Sequence, residues 1–217
     1  MEYTLEYYQN NHIYFCEKKL YPNSPEYLNA ISSLYICYQS YIDIISPKII
    51  NNNSTIIINS IIFINGIAAF FYHWNNNEIF KLMDAFTMII PLWFTLSYLL
   101  FLFKFSPIFQ IILSFVNILI LILSTYTFFD YYFPLCFASQ LLLIIPLYKY
   151  SITFIHKNNN IINIGLKGIF ICSSSGAIWI ISEFNCNKWM IFGHPLWHIG
   201  MSTGVSYLLR YISLIPQ

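Results

Sequence analysis

Long apolar stretches alternate with short polar breaks along most of this chain. The first 27 residues are polar and rich in tyrosine, and seven apolar stretches follow them. Each has the length that crosses a bilayer as a helix, roughly 17–25 residues. The stretches are 28–46, 55–74, 79–103, 107–127, 131–149, 162–182 and 193–213. The pattern predicts an all-α membrane protein in which one domain, 1–217, consists of a polar tail, 1–27, and a seven-transmembrane helix bundle, 28–213.

The breaks between the stretches are short, and several are rich in asparagine, as at 51–54, 75–78 and 158–160. The break between the fourth and fifth stretches depends on Asp130 and its neighbours. Composition supports a membrane location, because 58% of the residues are hydrophobic and 9% are charged, whereas a soluble domain carries about 25% charged residues. A net charge of +1 argues against a nucleic-acid partner, which would need a basic face.

The basic residues predict the orientation of the bundle. Seven spans place the termini on opposite sides of the membrane. One side receives Lys48, Lys104, Lys149, Lys157 and Arg210, and the other receives Lys18, Lys19, Lys81 and Lys188 together with several glutamates. The side poor in acids is the better cytoplasmic candidate. We therefore expect a lumenal or extracellular N-terminus and a cytoplasmic C-terminus.

Two histidines open the last apolar stretch, four residues apart. In a helix His194 and His198 would lie on one face, and two imidazoles at that spacing can bind one metal ion. The alternative is that the spacing has no function. Polar side chains at membrane depth are costly and usually have partners, which favours the metal hypothesis.

A third histidine and an acid are predicted to reach the same end of the bundle. The short link at 74–78 makes the second and third stretches an antiparallel hairpin, which brings His73 close to Asp84, an acid roughly 9 Å along its helix. Three histidines with an open fourth position are typical of a catalytic zinc site. Asp84 could orient or deprotonate the attacking water. The alternative is four unrelated polar residues at helix ends.

The five cysteines stand at positions 16, 37, 136, 172 and 186, without a CxxC pair. A cysteine zinc site is therefore not expected. At most two of them need form a disulfide, and the topology decides which two.

Three blocks of sequence carry a family resemblance. The first is Cys16-Glu17, Glu26 and Asn29-Ala30-Ile31-Ser32; the second is Gly66 to His73 with Asp84 eleven residues later; the third is Trp179, Cys186, His194 and Trp197-His198. In this order and on seven apolar stretches, the chain resembles the alkaline ceramidase family, within the CREST group of seven-span membrane hydrolases. Ser182 and Glu183 fall near an Asp of the family pattern and could orient the site.

The resemblance implies a function and a set of residue roles. It implies that His73, His194 and His198 bind Zn²⁺ and that Asp84 activates water. The implied reaction is hydrolysis of the linear amide C–N bond of ceramide, a lipid substrate within the bilayer, to a sphingoid base and a fatty acid. It also implies a Cys16–Cys186 disulfide on the lumenal side, where the redox environment permits one. The expected location is the endoplasmic reticulum or Golgi membrane, and no obligate protein partner is implied.

One departure from the family pattern concerns turnover. The family's Ser, four residues before the first histidine, is Ala69 here. A hydroxyl at that position could donate a hydrogen bond to the developing oxyanion, and loss of such a donor costs about 10²–10³-fold in rate. Asn65, one helical turn earlier, could substitute for it.

A second departure concerns calcium. Glu17 and Glu26 match two carboxylate ligands of the family's Ca²⁺ site, but Tyr14 and Lys19 stand where the pattern has Asp and Asn. An ammonium group beside the site opposes cation binding, so we expect Ca²⁺ to bind weakly or not at all.

Three hypotheses follow. The leading one is a zinc-dependent intramembrane amidase of the ceramidase type. The second is a receptor-like relative of the progestin and adiponectin receptors, whose termini would be inverted. The third is a lipid-binding homologue that keeps the zinc but has lost turnover.

Overall fold

The computed structural model describes residues 15–46, 53–126, 129–154 and 159–214, and within these ranges the chain is helical and contains no strand. The helices are α1 (Cys16–Leu20), α2 (Tyr27–Ile45), α3 (Asn53–Asn75), α4 (Glu78–Leu102), α5 (Pro107–Tyr126), α6 (Phe129–Phe154), α7 (Asn159–Phe184) and α8 (Gly193–Ser213). A short 3₁₀ turn, Met190–Phe192, precedes α8.

A long helix coincides with each predicted apolar stretch, so the all-α class is confirmed. Within the described residues, three helices are long and apolar enough to cross a membrane: Asn53–Asn75, Glu78–Leu102 and Asn159–Phe184. Membrane association follows from these helices, whereas seven crossings and the direction of the termini remain predictions.

Helix α6 corrects two details of the prediction. Asp130 lies inside the helix, which begins at Phe129, and not in the break before it. The predicted end at 149 is wrong because the helix continues to Phe154. Ser151 donates a hydrogen bond to the Tyr148 carbonyl over 2.9 Å and shares another with the Tyr211 hydroxyl of α8, also 2.9 Å. A polar residue beyond Lys149 therefore stays helical because α8 satisfies its hydroxyl.

Helices α3 and α4 form the predicted antiparallel hairpin. Asn76 takes the left-handed backbone conformation, with φ of 50°, which asparagine tolerates better than most residues. The side chain of Asn77 then caps α4 by accepting a hydrogen bond from the backbone N–H of Ile79 over 2.8 Å. This turn places His73, in the last turn of α3, at the same end as Asp84, in the second turn of α4.

Helices α7 and α8 lie antiparallel and approach closely through small residues. A Cβ atom at Gly193 would collide with the side chain of Ser182, and one at Gly200 would collide with that of Ser175. Small residues allow this proximity between membrane helices. The contact brings the start of α8, which carries two of the histidines, against the end of α7.

Helices α2 and α8 run parallel and are joined by side-chain hydrogen bonds along their length. We call these contacts the polar seam. Its pairs are Ser32–His198 at 2.8 Å, Tyr35–Thr203 at 3.3 Å, Gln39–Ser206 at 3.1 Å and Asp43–Arg210 at 2.8 Å. The seam begins at the histidine end of the bundle and reaches the other end.

An apolar core fills the end of the bundle away from the histidines. It includes Leu96, Leu99, Tyr148, Leu209 and Ile212, all of them buried. The bundle therefore has a tightly packed apolar end and a polar end with buried titratable groups.

Candidate metal centre

Three buried histidines meet at the polar end of the bundle. His73 comes from α3, and His194 and His198 come from the first turns of α8. Each exposes 6% or less of its surface, and one ligand nitrogen from each lies within 4.8 Å of the others. The structure thus brings together the three histidines that the sequence analysis selected.

The start of α8 explains the position of two of them. Pro195 lies in the first turn, where its missing N–H would have had no partner within the helix. The four-residue spacing then turns both rings to one side, and Nε2 of His194 lies 3.1 Å from Nε2 of His198. Two ligands on a tetrahedral zinc ion, at 2.0–2.1 Å from it, are about 3.3 Å apart.

Two of the three Nδ1 atoms, those of His73 and His198, have oxygen partners. His73 Nδ1 lies 2.7 Å from Oε2 of Glu26, a carboxylate that can only accept. His198 Nδ1 lies 2.8 Å from Oγ of Ser32, whose own proton is donated to the Asn29 carbonyl over 2.9 Å. With Nδ1 as the donor in both contacts, each neutral ring keeps its Nε2 lone pair for a metal.

This donor set fits a divalent transition metal. Two rings present an Nε2 lone pair, and the close Nε2 atoms of His194 and His198 would repel each other without a proton or a cation between them. Oxygen partners on the outer nitrogens are the usual support of metal-binding histidines. The trio fits zinc by its chemistry and its spacing.

Glu26 supports this arrangement electrostatically. Burial opposes its ionisation, but hydrogen bonds from His73 and Asn29 outweigh that effect and hold the pKa of Glu26 below its usual value. The backbone N–H of Glu26 also donates to the His73 carbonyl over 3.0 Å. Sequence reasoning had assigned Glu26 to calcium and missed its contact with His73.

Asp84 lies beside the histidines and outside the group of ligand atoms. The α3–α4 hairpin places it at the same end of the bundle as His73. The side-chain amide of Asn65 donates to Asp84 Oδ1 over 2.7 Å and to the Asp84 carbonyl over 2.9 Å. The amide that could have replaced the family's hydroxyl therefore holds Asp84.

Ala69 lies buried on α3, one turn before His73, and is 1% exposed. Its methyl group offers no hydrogen-bond donor at this position. The departure seen in the sequence is thus located next to the metal-binding trio.

The segment before α2 covers the histidines. The ring centroid of Phe15 lies 4.2 Å from that of His194 and 5.3 Å from that of His73. The next residue, Cys16, forms the expected disulfide with Cys186, with Cα atoms 5.3 Å apart. Phe15 escaped the sequence analysis, where its position beside Cys16 was the only signal.

The other described cysteines do not form this disulfide. Cys37 and Cys172 are free thiols, and the side chain of Cys136 lies outside the described residues.

The two carboxylates expected at a calcium site have other donors. Glu17 accepts the backbone N–H groups of Leu28 and Asn29 at the start of α2, over 2.8 and 3.0 Å, and Glu26 accepts from His73. Lys19 Nζ donates to the Glu183 carbonyl over 3.2 Å, while Tyr14 lies outside the described residues. These residues do not fit a calcium site, and we assign calcium no role.

Comparison with known proteins assigns the chain to a protein family. A family model described as Ceramidase matches residues 8–216, while no curated protein matches the chain. Ceramidases hydrolyse ceramide, a lipid amide, so the match implies an amide hydrolase of lipid metabolism with a lipid substrate at a membrane. The resemblance carried by the three sequence blocks is confirmed, and the chain belongs to the Ceramidase family.

Proposed function

We propose that this protein is a zinc-dependent intramembrane amidase that hydrolyses ceramide-type lipids to a sphingoid base and a fatty acid. The observation that carries the proposal is the buried histidine trio, in which one ligand nitrogen from each ring lies within 4.8 Å of the others, with Asp84 at the same end of the bundle. Family membership supports the substrate class.

His73, His194 and His198 would bind the zinc. Zinc in a three-histidine site supplies Lewis acidity and activates water for hydrolysis. Glu26 and Ser32 fix the proton of their histidine partners on Nδ1 and so keep Nε2 available. Phe15 covers the trio and limits access of bulk water, which strengthens electrostatic interactions inside the site.

Asp84 would move the protons. Hydrolysis forms a C–O bond to the acyl carbon and breaks the C–N bond. A carboxylate oxygen of Asp84 accepts the proton that the attacking water loses and passes it to the leaving nitrogen. The Asn65 amide, bonded to Oδ1, fixes the orientation of the carboxylate during both transfers.

The protein would be a single seven-span domain in the endoplasmic reticulum or Golgi membrane, with its N-terminus in the lumen. The disulfide supports this orientation, because Cys16 and Cys186 need an oxidising compartment. The ceramide would lie within the bilayer and present its amide to the polar end of the bundle.

The proposal is tested by metal analysis and a ceramide hydrolysis assay on the purified protein. We expect about one zinc per chain and release of fatty acid. His198→Ala should lose both the bound zinc and the hydrolysis of ceramide, because the two remaining histidines cannot bind zinc in the same geometry. His156→Ala, a histidine outside the trio, is the matched control.

Three results would redirect the proposal. Stoichiometric zinc in His198→Ala would place the metal elsewhere. Bound zinc without hydrolysis in the native protein would favour a lipid-binding homologue. Tags that report a cytoplasmic N-terminus would favour the receptor-like orientation.

A further inference from the structure

Glu183 lies at the C-terminal end of α7, between a lysine and a histidine of the trio. Its Oε1 is 3.8 Å from Nδ1 of His194, and its Oε2 is 3.7 Å from Nζ of Lys19. The Glu183 side chain is 14% exposed, against 40% for Lys19. Each carboxylate oxygen thus faces a different positively polarised group.

His194 differs from the other two histidines in the surroundings of its Nδ1. Nδ1 of His73 and of His198 lie within hydrogen-bond distance of Glu26 and Ser32, whereas Nδ1 of His194 is buried without such a partner among the described residues. Both carboxylate oxygens of Glu183 are also buried without a well-formed hydrogen bond in this part of the chain, with the backbone N–H of Cys16 and the indole of Trp179 nearby. Buried polar atoms without partners are rare because they are costly, and here a ring nitrogen and a carboxylate of this kind face each other.

We propose that Glu183 is the positioning residue of His194, accepting its Nδ1 proton when a metal is bound at Nε2. The inference rests on the proposed zinc site. A metal at Nε2 keeps the ring proton on Nδ1, which then needs an acceptor, and carboxylates commonly fill this place behind metal-binding histidines. All three rings would then be supported from behind, by Glu26, Ser32 and Glu183.

Lys19 and the disulfide hold Glu183 in this place. Lys19 engages Oε2 and leaves Oε1 for His194, and it also donates to the Glu183 carbonyl over 3.2 Å. Cys16 shares helix α1 with Lys19, and its partner Cys186 follows Glu183 by three residues. An ion pair with an exposed lysine contributes little by itself, so we assign Glu183 its main role toward His194.

The test compares the zinc affinity of the full-length protein with that of Glu183→Gln, by competition with a chromophoric chelator. The amide is nearly isosteric but carries no charge. We expect zinc binding to weaken about 10–100-fold, as for other residues that support metal ligands. Glu78→Gln is the matched control: Glu78 is an acid at the same end of the bundle, 72% exposed and paired with Lys81, and its loss should leave the affinity unchanged.

A spectrum separates positioning from general stability. In the Co²⁺-substituted protein, Glu183→Gln should shift the visible absorption bands because the His194 ring is held differently, and Glu78→Gln should not. The thermal unfolding midpoint of each variant, compared with that of the native protein, reports whether the variant is folded. If Glu183→Gln is not folded, Glu183→Asp is compared instead. Its shorter side chain should also weaken zinc binding.

The outcomes are distinct for the two proposals. Native protein that binds no zinc would overturn the proposed function, and this inference with it. Native protein that binds zinc, together with a folded Glu183 variant of equal affinity and unchanged Co²⁺ spectrum, would overturn the role of Glu183 alone.

Discussion

The side-chain amide of Asn65 donates a hydrogen bond to Oδ1 of Asp84 over 2.7 Å. The contact joins a residue of α3 to the proposed proton acceptor on α4. It also commits the amide that could otherwise have replaced the hydroxyl missing at Ala69. The proposed base is therefore well held, and the side chain at position 69 offers no oxyanion donor.

Asp84→Asn should keep zinc bound and lower kcat about 10²–10⁴-fold, because the amide cannot accept the proton from water. The measurement is ceramide turnover per mole of bound zinc. Asn65→Leu should lower kcat less, since Asp84 remains but loses its support. An unchanged rate in Asp84→Asn would remove this residue from the mechanism.

Ala69→Ser should raise kcat with little change in KM. The added hydroxyl would lie one turn before His73 on the same face of α3, and a hydrogen bond made mainly in the transition state appears in kcat. The gain could reach about 10²-fold, or ~3 kcal/mol.

Ala68→Ser is the matched control for this change. Ala68 is equally buried, at 0% exposure, but its Cβ points about 100° away around the helix. If the native protein already has a high kcat and Ala69→Ser does not raise it, another group supplies the oxyanion donor.

Glu26→Gln should weaken zinc binding about 10–100-fold, because the charged acceptor on His73 Nδ1 becomes a neutral amide. Zinc competition measures the effect. Glu17→Gln provides the comparison. The Glu17 carboxylate caps α2, so this change should reduce the free energy of unfolding by about 0.5–2 kcal/mol and leave the zinc affinity unchanged. Equal zinc affinities for all three proteins would leave Glu26 without a role at the metal.

Cys16 and Cys186 should resist alkylation in native membranes until a reductant is added, whereas Cys37 and Cys172 should react independently of reductant. The bridge spans 170 residues, so by chain entropy it could stabilise the fold by about 5 kcal/mol. Mass spectrometry of the alkylated peptides decides the question, and two free thiols in native membranes would contradict the pairing.

The sequence predicted the helices and the histidine trio because both depend on local pattern. Apolar runs set the helix positions, and the spacing of His194 and His198 set their common face. The partners of the rings were missed, because Glu26 and Ser32 reach the trio only when the start of α2 packs against α3 and α8. Asn65 could be considered as a replacement donor because spacing along one helix gives no sign of a partner on the next.

The polar seam restricts how a lipid could reach the histidines sideways from the bilayer. Hydrogen bonds join α2 to α8 at three levels. They are Ser32–His198 near the site, Gln39–Ser206 midway along the helices and Asp43–Arg210 at the far end. In the proposed seven-span arrangement, opening this pair of helices would break hydrogen bonds at each level, including one to a proposed metal ligand, and buried polar groups without partners are costly. We therefore expect a lipid chain to enter between a different pair of helices.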